Sequence, residues 1–234
     1  MLNETSRKYE NVLNTKNVRL LTKRLEALQQ EELTPLELES ESVHIMVKTL
    51  HAHGKKSNQT YQISQIAKVL AEALGLDKEF CEMFRIAAMM YDIGNIAITS
   101  DIYAKDERLT YEEFEVVKEH TLHGYAILST LEFPSMQLAA IISLEHHEWW
   151  NGGGYPCQLQ DEEINIASRI ITLADTVGAL ANLRAGRTKW TLSEVIDYVE
   201  KRAGLQFDPE VVDVFLINLD EIAGILSTEL EIRN

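Results

Sequence analysis

Five side chains in this sequence suit a metal ion: Asp92, His120, His146, His147 and Asp175. Imidazole and carboxylate together fit iron, manganese or zinc, and donors scattered over several helices are how helical bundles build metal centres. Asp175 follows the apolar run Ile170-Ile171-Thr172-Leu173-Ala174. A carboxylate on an apolar helix face needs a partner or a cation, because burying it alone is costly. His146-His147 closes the run Ala139-Ala140-Ile141-Ile142-Ser143-Leu144 and leads through Trp149-Trp150 into the turn Asn151-Gly152-Gly153-Gly154-Tyr155-Pro156. Taken singly, each donor reads more simply as a hydrogen-bonded core residue and the glycines as a tight turn. Spacing alone leaves the metal reading open.

The elements that must position these groups are helices. Only four prolines and eleven glycines occur in 234 residues, and apolar residues recur at steps of three and four, so an all-α fold is expected. Val18, Leu21, Leu25 and Leu28 form a short seam that suits either an amphipathic helix docked on its own domain or a dimerising, signal-carrying coil. A capping box at Thr34, Pro35 and Glu37 starts the next helix, which Gly54 ends. Residues 1–33 are thus expected to be an N-terminal extension and 34–234 the main domain. Ile63, Ile66, Ala67, Leu70, Ala71 and Leu74 make a helical stripe closed by Gly75. A helix is expected from Lys78 to Tyr91 with Phe80, Met83, Phe84 and Ala87 inward, ending at Asp92. Capping boxes at Thr110 and Thr191 start two more, the first carrying His120. Asp208-Pro209 opens a last helix through Val212, Phe215 and Leu219.

Composition bounds the function. Lys+Arg number 22 against 37 Asp+Glu, a net charge of −15, and 45% of residues are hydrophobic. Such a chain can bury a core, and it lacks the basic surface that long nucleic acid or an anionic membrane selects. An anionic ligand would need local positive groups or a metal. Cys81 and Cys157 form no C-x-x-C pair, so neither a disulfide framework nor a zinc ribbon is encoded. The start Met1-Leu2-Asn3-Glu4-Thr5 lacks a signal-peptide pattern, and no apolar run reaches the roughly 18 residues of a membrane span. A cytoplasmic location is expected.

The segment His146-His147-Glu148-Trp149-Trp150-Asn151-Gly152-Gly153-Gly154-Tyr155-Pro156 resembles the H-H-E-x-W-x-G-x-G-Y-P signature of HD-GYP domains. These are bacterial phosphodiesterases that hydrolyse cyclic di-GMP, within the all-helical HD superfamily. The resemblance runs from about Glu41 to Phe215. It includes Tyr91-Asp92-Ile93-Gly94-Asn95 at the family's H-D-I-G-K, Lys118-Glu119-His120 at a histidine ligand, Ala174-Asp175 at A-D-x-x-D, and Phe207-Asp208-Pro209-Glu210. It implies an HD-superfamily bundle of the HD-GYP type with an N-terminal amphipathic helix.

The resemblance also divides the metal site. One family position is held by the aspartate of the HD pair and three histidines, here Asp92, His120, His146 and His147, all present. The adjacent position takes an earlier histidine, the histidine of the HD pair, the same aspartate and a later one. Those places hold Gln59, Tyr91, Asp92 and Asp175. Glutamine is a weak neutral ligand, and a tyrosine must first lose a proton whose ordinary pKa is about 10. The second aspartate of A-D-x-x-D is Gly178, and the acid that some members carry one turn before the first histidine is Lys55. The lysine assigned to the substrate phosphate is Asn95. By contrast Arg184 and Arg187 match phosphate-gripping positions and Tyr155 the tyrosine near the ligand.

A two-metal site clamps both the attacking and the leaving oxygen of a phosphodiester, and losing several transition-state contacts of about 3 kcal/mol each removes orders of magnitude in rate. The resemblance therefore implies a degenerate domain with one divalent transition metal and weak or no phosphodiesterase activity, binding cyclic di-GMP, a related nucleotide or a signalling protein. The alternatives are an active phosphodiesterase with altered ligation, and a metal-free interaction domain whose N-terminal coil, able to form a homodimer, carries the function.

Overall fold

The computed structural model describes residues 16–28, 35–52, 57–103, 105, 107–182 and 190–227. In chain order these form α1 (Lys16–Leu28), α2 (Pro35–Ala52), α3 (Ser57–Ala73), α4 (Lys78–Ala87), a 3₁₀ helix (Ile93–Ala97), α5 (Ser100–Tyr103), α6 (Tyr111–Lys118) and α7 (His120–Leu128). There follow α8 (Pro134–Glu145), a 3₁₀ turn (Asp161–Glu163), α9 (Ile166–Ala181), α10 (Leu192–Glu200), α11 (Pro209–Ile217) and α12 (Leu219–Ser227). Among the described residues there is no strand, only two isolated bridges, Asn151 with Gln160 and Ala203 with Phe207. The all-α expectation holds. No described helix is long and apolar enough to cross a membrane.

The chain divides into two units. The first combines Met1–Lys55 with Met90–Leu144. In it α1 packs on α2 and on the 3₁₀ helix Ile93–Ala97, which α7 also covers. Val18, Leu21 and Leu25 are buried, so the α1 seam is filled within this unit. Two glycines bring the backbones together. A Cβ on Gly94 would collide with the His120 carbonyl oxygen, and one on Gly124 with the Ser143 hydroxyl.

The second unit combines Lys56–Met89 with Glu145–Asn234. Here α3 is the central helix, packed by α4, α9, α11 and α12. Its stripe Ile63, Ile66, Ala67, Leu70 and Ala71 is buried. Gly75, at φ +75°, ends it: the Gly75 N–H donates to Glu72 O (3.0 Å) and the Leu76 N–H to Ala71 O (3.1 Å). The capping boxes at Thr110 and Thr191 and the Asp208 cap are formed as expected.

Four local expectations need correction. α4 stops at Ala87, and its buried face is Cys81, Phe84 and Ala87, with Phe80 and Met83 half-buried. The chain beyond Ala88 takes tight i→i−3 turns, such as Met89 N–H to Ile86 O (3.1 Å). Asp92 therefore caps a 3₁₀ helix instead of ending an α-helix. His120 begins its own helix, because at the break the Thr121 hydroxyl takes the Lys118 carbonyl (3.0 Å) and the His120 ring takes that of Val117 (2.7 Å). The last apolar helix divides at Asn218, whose side chain donates to Val214 O (2.7 Å), and Leu219 starts α12. The Thr34 cap, Gly54, Lys55 and the boundary at residue 33 lie outside the described residues.

Candidate functional site

In the first unit the candidate ligands Asp92 and His120 meet. His120 Nε2 lies 3.4 Å from Asp92 Oδ1, and both residues are buried. His120 Nδ1 is 2.7 Å from the Val117 carbonyl oxygen, which can only accept, so Nδ1 carries a proton and Nε2 is the nitrogen that faces Asp92. This is how a metal-binding imidazole is oriented and its tautomer fixed. Tyr91 and Asn95 flank the aspartate's turn, and both are buried, Tyr91 to 1% exposure.

In the same unit His123 is buried with no hydrogen-bond partner on Nδ1. Loss of solvent lowers its pKa to about 4. Glu119, 3.9 Å from its Nε2, is too distant and exposed to offset that.

In the second unit His146 and His147 sit side by side, ring centroids 4.2 Å apart. His146 is buried and His147 half-buried. The Thr172 hydroxyl, on α9, lies 2.9 Å from the carbonyl oxygens of both His146 and Ser168, tying the histidine backbone to that helix. Tyr155 stacks on His147 with centroids 4.8 Å apart and planes at 23°. The Gly152–Tyr155 turn folds back because the Tyr155 N–H donates to His147 O (3.1 Å), and because Gly154, without a Cβ, lies against the His147–Trp149 backbone.

Two carboxylates bracket the histidine pair. Glu145 accepts the Asn165 N–H (2.9 Å) ahead of α9. Glu148, 1% exposed, accepts the N–H groups of Cys157 (2.5 Å), Gln158 (3.1 Å) and Leu159 (3.1 Å). Burial pushes both carboxyls above the ordinary range, and these amide bonds pull them partly back. Neither acid was singled out from the sequence. The signal was there, an acid between His147 and Trp149 with no other assignment.

His120, His146 and His147 offer ring nitrogens as candidate ligands. Asp175, on α9, is half-buried, and Gln59 is half-buried on α3. Gly178, the place of a family aspartate, is taken up by packing: a Cβ there would stand 2.9 Å from Ile63 Cγ1. Gln62 on α3 donates to Ile225 O (3.2 Å) and Leu226 O (3.4 Å) on α12. Arg184 and Arg187 lie outside the described residues.

Comparison with known proteins agrees with this chemistry. Residues 19–211 match the family described as HD domain, and the chain belongs to that family. It is 37% identical over 170 residues to a cyclic di-GMP phosphodiesterase of Thermotoga maritima, covering 73% of this chain and 46% of the relative. It is 36% identical over 170 residues to the cyclic di-GMP phosphodiesterase response regulator RpfG of Xanthomonas campestris pv. campestris, covering 71% of this chain and 45% of the relative. The chain thus spans less than half the length of these relatives. Among solved structures it resembles an HDG“Y”P protein from Bdellovibrio bacteriovorus, with TM-score 0.58, 13% identity and coverage of 92% of this chain and 78% of that one. That likeness supports the all-α HD fold. The HD-GYP resemblance of the sequence is consistent with all three.

Proposed function

We propose that this chain is a regulatory HD-GYP domain that binds cyclic di-GMP or a related cyclic dinucleotide, with weak or no phosphodiesterase activity. One divalent transition metal, iron or manganese or else zinc, would be held by Asp92, His120, His146 and His147, with Asp175 as a further donor. The donor set fits such an ion: imidazoles, one of them oriented by Val117 O, and a carboxylate. A metal bound there would supply Lewis acidity towards a phosphate oxygen. The chain's own residues hold the ligand: Tyr155 offers a ring face to a base, and Arg184 and Arg187 offer forked donors to phosphates. Residues 34–234 form the HD-GYP-like domain, preceded by a helical extension over 1–33. A homodimer through that extension would have to use faces of α1 other than Val18, Leu21 and Leu25, which are buried. A signalling protein is the expected partner.

The reading is carried by the side chains standing where the family has its second metal ligands and lysine. Tyr91 is buried in the HD histidine's place, Asn95 in the lysine's, and Gly178 packs against Ile63. None of these offers the imidazole, ammonium or carboxylate that a two-metal hydrolase uses.

Metal analysis of protein purified without chelator, with cyclic di-GMP binding on the same preparation, tests this. The expected result is about one metal per chain and binding without turnover in Mn²⁺ or Fe²⁺. Turnover abolished by His146→Ala would overturn it in favour of an active phosphodiesterase with altered ligation, the second reading, which the names of the curated relatives favour. Restoring imidazoles through Gln59→His with Tyr91→His should raise the metal content towards about two per chain. No metal at all would leave a metal-free interaction domain.

A further inference from the structure

The Glu148 carboxylate is the acceptor for three consecutive backbone donors, Oε1 for Cys157 and Gln158 and Oε2 for Leu159. Without it those N–H groups would lose their acceptor together. The segment it holds has Gln158 at φ 56° and Asp161 at φ 49°, conformations a residue with a side chain keeps only when neighbours impose them. The same loop carries Tyr155, whose N–H is fixed to His147 O at 3.1 Å and whose ring covers the His147 imidazole. Its far end is tied by Asp161 N–H to Trp150 O (2.8 Å) and by Asn165 N–H to Glu145 (2.9 Å).

We infer that Glu148 is a positioning residue. By anchoring residues 157–159 it seats Tyr155 on His147 and sets the orientation of that imidazole for the cation and nucleotide. The orienting part of this rests on the proposed metal-binding function, whereas the anchoring part rests on hydrogen bonds alone. Glu148 needs no contact with either ligand to act in this way.

The test compares Glu148→Ala, Glu148→Gln and Tyr155→Ala with the wild-type chain, each checked for native helix content. Amide exchange at residues 157–159 reads the anchor, and Mn²⁺ titration reads the imidazole. Glu148→Ala should speed exchange at 157–159 and weaken Mn²⁺ binding by about tenfold or more, the scale on which supporting residues act on metal sites. Glu148→Gln keeps one oxygen for Cys157 and Gln158 and should recover most of the affinity. Tyr155→Ala should weaken Mn²⁺ binding while leaving 157–159 protected. Unchanged exchange in Glu148→Ala overturns the anchor, and faster exchange with unchanged Mn²⁺ affinity overturns the positioning. If Glu148→Ala does not fold, the Gln variant decides by the same two readings at smaller amplitude. A wild-type chain that takes up no Mn²⁺ overturns the metal reading and the orienting part together. Uptake by wild type with no change in the variants overturns the inference alone.

Discussion

The stretch Tyr91–His123 and the stretch Glu145–Asn165 each present candidate ligands, and each uses one glycine to lay backbone against a histidine carbonyl. Gly94 does this at His120 and Gly154 at His147. The two stretches differ in what else holds them. His146-His147 follows α8, with seven buried residues, and is tied down by Thr172, Glu145 and Glu148. His120 follows α6, which buries no residue, and opens α7, which buries seven. Where the sequence matches the HD-GYP signature, its polar residues also carry the backbone. Where it departs, at Tyr91 and Asn95, the replacements fill buried space.

The sharpest way to break this parallel is to fill both glycines. A Cβ on Gly94 meets the His120 carbonyl and lies 2.5 Å from Gly124 N, and one on Gly154 meets Glu148 Cα and His147 O at 2.5 Å each. All of these are backbone atoms, which cannot step aside as a side chain would. Gly94→Ala and Gly154→Ala should each destabilise by about 4 kcal/mol, at the exceptional end for one substitution. The shift in denaturant midpoint measures it. A much smaller loss at one site would show that its backbone can retreat, and the parallel would fail.

The next effect belongs to the first stretch alone. His123 has an ordinary pKa of 6.5, lowered to about 4 by burial. Between those values the unfolded chain binds a proton that the folded chain refuses, so stability rises with pH there and falls on acidification. At pH 4, where the folded residue is half protonated, the loss attributable to it has reached about 3 kcal/mol. Stability measured from pH 7 to 4 should show it, and His123→Leu should flatten the curve through that window. A curve unchanged by that substitution would mean that His123 gains solvent or a partner when protonated.

Much of this was legible in the sequence, and the gaps have physical reasons. Helical spacing gave the α3 stripe and the Gly75 stop, and side-chain oxygens three residues before a glutamate gave the caps at Thr110 and Thr191. The position of α4's end was not legible, because nothing between Ala87 and Tyr91 is a helix breaker. The tight turns there serve the approach of Gly94 to the His120 carbonyl, a contact distant in sequence. Of the site, the resemblance supplied the histidines, since their identities are the signal. Glu148 stands out in the sequence as an unassigned acid, but what it accepts depends on where three backbone N–H groups point.

Gly178 sharpens the comparison further, because it asks whether a lost acid can simply be put back. Its place on α9 lies against α3, with Ile63 Cγ1 2.9 Å and Cδ1 3.3 Å from an added Cβ. Ile63 is a side chain and can shift by a few tenths of an ångström, but a carboxylate must also lose water on entering that contact. Gly178→Asp should therefore cost about 2 kcal/mol and leave metal content unchanged. An added equivalent of metal would show instead that α9 and α3 can part to admit a ligand.

The smallest expected effect falls on α6, the exposed helix ahead of His120. α6 has no buried residue, so little packing opposes its unfolding, and its end groups matter more than usual. Thr110 accepts the Glu113 N–H (3.2 Å), while Glu113 returns to the Thr110 N–H (2.8 Å) and pairs with Lys105 (2.8 Å). Thr110→Ala removes one half of that box and should cost about 1 kcal/mol. The loss should appear as faster amide exchange along Tyr111–Lys118, reaching the turn that hands the chain to His120. Thr191→Ala breaks a similar box ahead of α10, where Val195 and Val199 are buried, and exchange there should rise less. If the two helices respond alike, packing is not what separates them, and the contrast between the two candidate ligand stretches must rest on their side-chain anchors alone.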